Sequence, residues 1–180
     1  LALDQIAGGL PWPVYVAGEP RNPDGDAEVA AAHLQLLGQL PTRTVAAWLR
    51  SASIYAFPAR YEPFGLSILE AALAGCALVL GDIGSLREVW GDSALYVDPD
   101  DHLALGQTLQ RLIADPDLRH RYAERARVRA ARYDAGRMRA QYQSLYRTVR
   151  ASERIAVKAA PANTPTNRYR APADLSQVAP

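Results

Sequence analysis

The sequence is 180 residues long and 49% hydrophobic, which is enough for one domain with a core and too short for two of ordinary size. Its 20 lysines and arginines face 19 acidic residues, and a net charge of +1 argues against a dedicated nucleic-acid-binding protein. The single cysteine, Cys76, excludes an internal disulfide and fits a reducing compartment, and no Cys/His spacing typical of a metal site occurs.

The first residues, LALDQIAGGLPWP, lack the basic stretch of a signal peptide. No apolar run approaches the roughly 20 residues that span a bilayer. The chain does not begin with Met, which suggests a fragment of a longer protein. We therefore expect a cytoplasmic protein of which this chain is one part.

Short apolar runs alternate with longer stretches of helical period. Strands are predicted at residues 14–17, 34–38, 53–57, 77–80 and 94–97. Helices are predicted near residues 27–32, 42–50, 67–74 and 85–90, and from 102 to about 150 with breaks at 115–117 and 133–136. This alternation predicts an α/β domain over residues 1–150, with a parallel sheet covered by helices on both faces. Residues 151–180 are rich in Ala and Pro without periodicity and are expected to be a disordered tail.

The stretch RYEPFGLSILEAALAG, residues 60–75, places Glu62 and Glu70 on either side of a Pro-Phe-Gly turn. It follows a predicted strand, and ligands of open parallel sheets bind at the carboxyl ends of the strands. A helix beginning at Leu66 or Ser67 would direct unpaired N–H groups and the positive end of its dipole toward a phosphate. A carboxylate such as that of Glu70 can accept two hydrogen bonds from a vicinal diol. A phosphate site that lies between two carboxylates, each able to bind a diol, indicates a nucleotide sugar as the ligand.

The same residues have a structural interpretation. Ser67 and Glu70 fit a Ser-x-x-Glu capping box, in which Ser67 caps the helix and Glu70 reaches back to a backbone N–H. Spacing alone does not choose between a capping box and a ribose ligand.

The wider run, FPARYEPFGLSILEAALAGCALVLGDIGSLREVWGDSALYVDPDD, resembles the donor-binding, C-terminal half of group-1 (family 4) retaining glycosyltransferases of the GT-B architecture. Their hallmark is a Glu, seven residues and a second Glu, which correspond to Glu62 and Glu70. The resemblance extends from about Val14 to Arg150. It implies a Rossmann-like parallel sheet with helices on both faces, lacking its first strand.

The resemblance also implies roles for individual residues. Glu62 is expected to be catalytic, lying beside the donor sugar and its anomeric carbon, and Glu70 to bind the ribose. The backbone amides expected to contact the sugar and the distal phosphate are those of Phe64, Gly65 and Leu66. Residues 38–40 resemble the loop that borders the nucleobase.

Two features of the family are absent from this sequence. A Gly-Arg pair and a following Lys, which hold the donor diphosphate, would lie ahead of Leu1, as would the acceptor-binding N-terminal domain. Arg60 and Arg87 are the nearest cationic substitutes, but both are expected to form surface ion pairs. In a 3-2-1-4-5-6 strand order the missing first strand is central, so we predict a gap, a distortion or borrowed pairing between residues 14–17 and 53–57.

The resemblance implies a glycosyltransferase of the hexosyltransferase type that moves a sugar from a nucleotide diphosphate sugar to an acceptor with retention. The resemblance implies glycan biosynthesis with no metal and no cofactor, and an acceptor glycan, lipid or small molecule bound by the absent domain. The fragment alone is expected to be inactive. The alternative is a non-catalytic nucleotide or nucleotide-sugar binding module. A diphosphate clamp in the sequence ahead of Leu1 would favour the enzyme over this alternative.

Other polar residues have two interpretations each. Asp82, Ser85 and Glu88 follow the fourth predicted strand, where helix capping by Asp82 or Ser85 and donor contact explain them equally well. Residues 119–139 carry eight arginines against two acids. Such a run is typical of a solvated helix face. The alternative is contact with an anionic membrane, which would make the protein peripheral to the inner face of the membrane.

Overall fold

A computed structural model of the chain describes residues 2–19 and 31–159. The strands within these ranges are β1 (Val14–Ala17), β2 (Leu34–Gly38), β3 (Ile54–Phe57), β4 (Ala77–Gly81) and β5 (Leu95–Val97). The helices are α1 (Ala2–Ala7), α2 (Thr42–Ser51), α3 (Leu66–Ala74), α4 (Gly84–Trp90), α5 (His102–Ala114), α6 (Pro116–Ala130) and α7 (Ala135–Ala159), and Gly91–Ser93 form a 3-10 turn.

All five predicted strands are confirmed, each to within one residue at either end. The helices predicted at 42–50, 67–74 and 85–90 and the two breaks after residue 102 are confirmed as well. The predicted helix near residues 27–32 lies largely outside the described residues, and Ala31 and Ala32 are not helical.

The strands form two parallel ladders, β1-β2 and β3-β4-β5. Within residues 2–19 and 31–159, no strand hydrogen-bonds β1 to β3. The gap predicted between these two strands is therefore confirmed. The order of strands within each ladder agrees with the predicted α/β fold, whose central position is vacant.

The core lies on both faces of β4, all of whose residues are buried. Side chains of successive strand residues point to opposite faces, so Leu78 and Leu80 join one apolar cluster and Ala77 and Val79 join the other. The first cluster includes residues of α3, α4 and α6, and the second includes residues of α5. Each fully buried leucine contributes about 1.5–3 kcal/mol through removal of its surface from water.

Two arginines of the basic run cap the carboxyl ends of neighbouring helices. Arg129 donates to the carbonyl oxygens of Val89 (2.7 Å) and Glu88 (3.0 Å) at the end of α4. Arg119 donates to that of Leu112 (2.7 Å) at the end of α5. A cation at a helix C-terminus satisfies orphan carbonyls and opposes the negative end of the dipole. These two guanidinium groups thus serve the fold and are not part of a uniformly solvated face.

The chain divides into two compact units at Asp134 and Ala135. The second unit contains α7, which continues past Arg150, the predicted end of the folded domain, to Ala159. Residues 160–180 of the predicted tail lie outside the described residues. Among the described helices none is long and apolar enough to cross a membrane.

Cys76 provides a test of the core. Its thiol is fully buried and donates weakly to the carbonyl oxygens of Leu49 (3.3 Å) and Ala52 (3.4 Å). Burial raises the pKa of the Cys76 thiol from 9.0 to about 11. Because the thiolate is the reactive form, we expect the folded chain to react with a disulfide reagent near pH 8 about 100-fold more slowly than the chain in denaturing urea.

The same shift gives the sign of a pH dependence. Between pH 9 and about 11 the folded chain retains the thiol proton that the unfolded chain loses, so this group stabilises the fold fully below pH 9 and less as the pH rises. Equal reaction rates in the folded and unfolded chain would show that Cys76 is accessible and would contradict its burial.

Candidate functional site

The loop between β3 and α3 holds Glu62 in a defined position. The Glu62 Oε1 atom accepts hydrogen bonds from the backbone N–H of Gly65 (2.8 Å) and of Phe64 (3.2 Å). The carboxylate is half-buried against the start of α3, where the positive end of the helix dipole favours a negative group. Glu62 thus lies at the carboxyl end of β3, as predicted.

Gly65 is the N-cap of α3 and has a left-handed backbone conformation, with φ 80° and ψ 72°. A Cβ atom at this position would lie 2.5 Å from Cδ1 of the buried Ile68 and 3.4 Å from Cγ of Glu62. Only glycine combines this φ with so close a neighbour at no steric cost. The turn that brings the Gly65 N–H to Glu62 therefore depends on the absence of a side chain.

The capping-box interpretation of Ser67 and Glu70 is wrong. The cap residue is Gly65, which has no side chain to accept a capping hydrogen bond, and Ser67 lies inside the helix. The Ser67 hydroxyl is instead 2.9 Å from that of Tyr55, which donates to it from β3. Glu70 is exposed and is not used as the capping glutamate, so its carboxylate is free of that structural role.

Tyr55 connects the two acids electrostatically. Burial raises the pKa of the Tyr55 hydroxyl, and the negative charges of Glu70 and Glu62 raise that pKa further, while the hydrogen bond to Ser67 lowers it. Glu62 precedes α3 and Glu70 begins its second turn, so the two acids flank the first turn of this helix.

A second element supports the loop from the other side. The Ser85 hydroxyl, on α4, donates to the Glu62 backbone carbonyl at 2.6 Å. The N-cap of α4 is Ile83, which has no side-chain capping bond, so of the two interpretations given for Asp82 and Ser85, helix capping is wrong. Asp82 precedes the cap and Ser85 lies inside the helix, and both side chains have partners elsewhere: Ser85 binds the Glu62 loop and Asp82 binds Arg87.

The expected ion pairs of Arg60 and Arg87 are confirmed. Arg60 Nε donates to Asp100 (2.9 Å), and an Arg87 terminal nitrogen donates to Asp82 Oδ2 (2.6 Å). The arginine hydrogen bonds lower the pKa of the Asp82 and Asp100 carboxyls. Both guanidinium groups are paired with an exposed carboxylate, so a diphosphate would have to compete with that carboxylate for them.

The three predicted amide contacts differ in their surroundings. The backbone N–H groups of Phe64 and Gly65 already donate to Glu62, so a ligand would have to compete with that carboxylate for these two donors. Leu66, at the first helical position, has an exposed side chain. The Phe64 ring packs edge-on against Tyr133, with 5.3 Å between centroids, a contact that sequence reasoning missed because 69 residues separate the two.

The carboxyl ends of β1 and β2 lead into Glu19 and residues 38–40. The pairing of these strands shifts between Val16 and Ala17, and Gly38 at the shift has φ 65°. Gln39 then donates from Nε2 to Glu19 Oε2 at 2.8 Å. This hydrogen bond links residues 38–40 to Glu19, which no sequence motif indicated.

Among the described residues, no group of three or more His, Cys, Asp or Glu side chains could hold a metal ion.

Comparison with known proteins gives relatives for this chain. It is 38% identical over 122 residues to the phosphatidyl-myo-inositol mannosyltransferase of Mycolicibacterium smegmatis, covering 66% of this chain and 32% of the relative. It is 35% identical over 121 residues to the glycogen synthase of Mycobacterium tuberculosis, covering 63% and 29%. The chain therefore spans about a third of the length of the curated relatives it matches.

Solved structures share the fold. The sucrose-phosphate synthase of Thermosynechococcus elongatus superimposes with a TM-score of 0.72 at 22% identity, covering 84% of this chain and 42% of that one. HepE of Anabaena, in complex with UDP-glucose, superimposes with a TM-score of 0.68 at 18% identity, covering 82% and 43%. The family model described as "Glycosyl transferases group 1" matches residues 26–129, more than half of the chain. This chain therefore belongs to the group 1 glycosyltransferases and has the Rossmann-like α/β fold of a GT-B domain.

Proposed function

We propose that this chain is the donor-binding part of a transferase that moves a sugar from a nucleotide diphosphate sugar to an acceptor with retention of configuration. The observation that carries the proposal is the placement of Glu62 and Glu70 around the start of α3, where the loop after β3 holds the Glu62 carboxylate on the backbone N–H groups of Phe64 and Gly65. The complex of HepE with UDP-glucose supports a nucleotide sugar as the class of donor.

The proposed chemistry assigns a separate task to each acid. Exposed Glu70 would accept hydrogen bonds from a ribose diol, which fixes the nucleotide end of the donor. The bond from the anomeric carbon to the diphosphate breaks with its electron pair on the diphosphate, while the acceptor hydroxyl bonds to that carbon on the same face and passes its proton to an oxygen of the departing diphosphate. Glu62 would bind the sugar hydroxyls and stabilise positive charge at the anomeric carbon.

The contacts of Glu62 fit a preorganised group. Two backbone N–H groups hold its Oε1 atom, and Ser85 holds its carbonyl, so little reorganisation is needed when charge develops nearby. The start of α3 provides N–H groups and a positive dipole end for the departing diphosphate. No metal is required in this proposal, since the helix and a clamp of the family type would carry that charge.

Glu70→Gln tests the donor site. We expect calorimetric titration of this chain with UDP-glucose, GDP-mannose and ADP-glucose to detect binding of at least one of them. For that nucleotide sugar, Glu70→Gln should weaken binding about 10-fold or more, because hydrogen bonds to a charged group contribute about 1.5–3 kcal/mol.

Glu124→Gln is the matched control, since Glu124 is a partly exposed acid of α6 paired with Arg127. It should leave the affinity unchanged. Unaltered binding by the Glu70→Gln variant would remove the ribose role, and no binding of any nucleotide sugar would contradict the proposal. A non-catalytic module predicts the same titrations, and it is separated from a transferase by whether a protein containing this chain transfers sugar to an acceptor.

A further inference from the structure

Tyr133 follows α6 and contacts the loop that holds Glu62. The rings of Tyr133 and Phe64 lie 5.3 Å apart between centroids, with 79° between their planes. This is the edge-to-face geometry that aromatic pairs favour. Phe64 lies two residues after Glu62, and its backbone N–H donates to Glu62 Oε1 at 3.2 Å. Tyr133 therefore contacts a residue whose amide helps to hold the Glu62 carboxylate.

Three contacts fix the position of Tyr133. Its backbone N–H donates to the carbonyl oxygen of Ala130, the last residue of α6, at 2.9 Å. Its hydroxyl donates at 3.0 Å to the carbonyl oxygen of Val89 in α4. Its ring lies 6.4 Å from that of Trp90, which is fully buried. Tyr133 is thus attached to both α6 and α4, and its ring is a fixed surface against which a loop can pack.

The Phe64 side chain is held mainly by this ring. It is half-buried, and in the described part of the chain it belongs to neither of the two apolar clusters. Tyr133 is the one aromatic ring that contacts it among the described residues. The other restraints on the loop act on its main chain, at the Glu62 carbonyl through Ser85 and at the Gly65 amide. The ring pair therefore restrains a part of the loop that those hydrogen bonds do not reach.

We propose that Tyr133 is a positioning residue of the donor site. Its ring holds Phe64 so that the Phe64 N–H stays directed at Glu62 Oε1, and the carboxylate keeps the orientation in which it meets the donor. This role rests on the proposed function, in which Glu62 binds the hydroxyls of the donor sugar. Without the ring, the loop would have to be ordered when the donor binds, and that ordering opposes binding. Tyr133 itself touches neither donor nor acceptor.

Tyr133→Leu removes the ring and keeps an apolar side chain. We expect it to weaken binding of the nucleotide sugar that the original chain binds by about 3-fold or more, because an edge-to-face pair accounts for about 2- to 10-fold in an equilibrium constant. Tyr133→Phe loses only the hydroxyl bond to Val89, so it should retain the affinity. If Tyr133 served only to stabilise α4 and α6, both variants would lower the stability to urea and neither would change the affinity.

The Phe64 ring gives a second readout that needs no donor. The chain has two phenylalanines, Phe57 and Phe64, so labelling with 4-fluorophenylalanine gives two fluorine NMR signals. Tyr133→Leu should shift and broaden the Phe64 signal, because a neighbouring ring is lost and the side chain gains freedom, and it should leave the Phe57 signal in place. Tyr133→Phe should leave both signals in place.

Tyr122→Leu is the matched control, since Tyr122 is a partly buried tyrosine of α6 that packs against the apolar cluster containing α5 residues. It should lower the stability to urea and leave both the affinity and the Phe64 signal unchanged. Either an unchanged affinity or an unchanged Phe64 signal in Tyr133→Leu would overturn the proposal, as would an equal loss of affinity in Tyr133→Phe.

The two proposals fail in different ways. If the original chain binds no nucleotide sugar, the proposed function fails, and the Phe64 signal alone decides whether Tyr133 positions the loop. If Tyr133→Leu does not fold, Phe64→Leu removes the other ring of the pair and leaves the Tyr133 hydroxyl bond in place. It should weaken binding by the same factor, and an affinity equal to that of the original chain would overturn the proposal.

Discussion

Replacing Gly81 by alanine is expected to lower the free energy of unfolding by about 3 kcal/mol or more. Gly81 ends the fully buried strand β4, and a Cβ atom there would lie 2.2 Å from the carbonyl oxygen of Ala59 and 3.0 Å from its backbone nitrogen. Both atoms belong to the backbone and cannot rotate away as a flexible side chain would. The loop that leads to Glu62 must therefore shift, or β4 must leave its register.

Urea unfolding of the two chains, followed by circular dichroism, measures this change. Gly84→Ala is the matched control, since Gly84 begins α4 three residues later and a Cβ atom added there would meet no atom of another segment within 4 Å. We expect that control to stay within about 0.5 kcal/mol of the original chain. A Gly81→Ala variant as stable as the control would show that the loop at Ala59 yields without cost.

Replacing Gly65 by alanine is expected to lower the free energy of unfolding by about 2–5 kcal/mol. A left-handed conformation costs a residue with a side chain about 1–2 kcal/mol, and overpacking against buried Ile68 adds about 1–3 kcal/mol. Relief of either strain would alter the turn that aims the Gly65 N–H at Glu62. The variant should therefore also bind a nucleotide sugar more weakly than the original chain.

Two further variants separate the two costs of Gly65→Ala. Gly75 also has a positive φ, 96°, but a Cβ atom there would meet no atom of another segment within 4 Å, so Gly75→Ala should show the conformational cost alone. Adding Ile68→Val to Gly65→Ala removes the nearest atom, Cδ1, and should restore part of the stability lost by the alanine. Equal losses for Gly65→Ala and Gly75→Ala would mean that Ile68 moves aside freely.

The sheet was predictable because its strands are short apolar runs bounded by turn residues. ALVL, residues 77–80, has no polar face at all, and in the structure it is the strand covered on both sides. The gap between β1 and β3 was predictable from the resemblance to a fold with one more central strand. The helix expected near residues 27–32 could not be tested in full, since most of it lies outside the described ranges.

Side-chain partners were less predictable than the elements that carry them. Ser67 fits a capping motif by local spacing, yet Tyr55 from another strand bonds its hydroxyl. Ser85 likewise fits a cap, but its hydroxyl donates to Glu62, 23 residues earlier. A sequence motif includes only hydrogen-bond partners that are close in sequence, whereas in the folded chain partners also come from segments distant in sequence. The positions of Glu62 and Glu70 at the start of α3 were foreseen, and their roles toward a donor stay predictions.

Arg129 is connected to the Glu62 loop through helix α4. Arg129 anchors one end of α4, a helix of only seven residues, and Ser85 near its other end holds the main chain of Glu62. Unfolding at either end of so short a helix would break the hydrogen bond between Ser85 and the backbone carbonyl of Glu62. Arg129, 67 positions along the chain from Glu62, therefore stabilises the helix whose Ser85 hydroxyl binds the Glu62 main chain, so a distant residue of the basic run contributes to the local geometry of that loop.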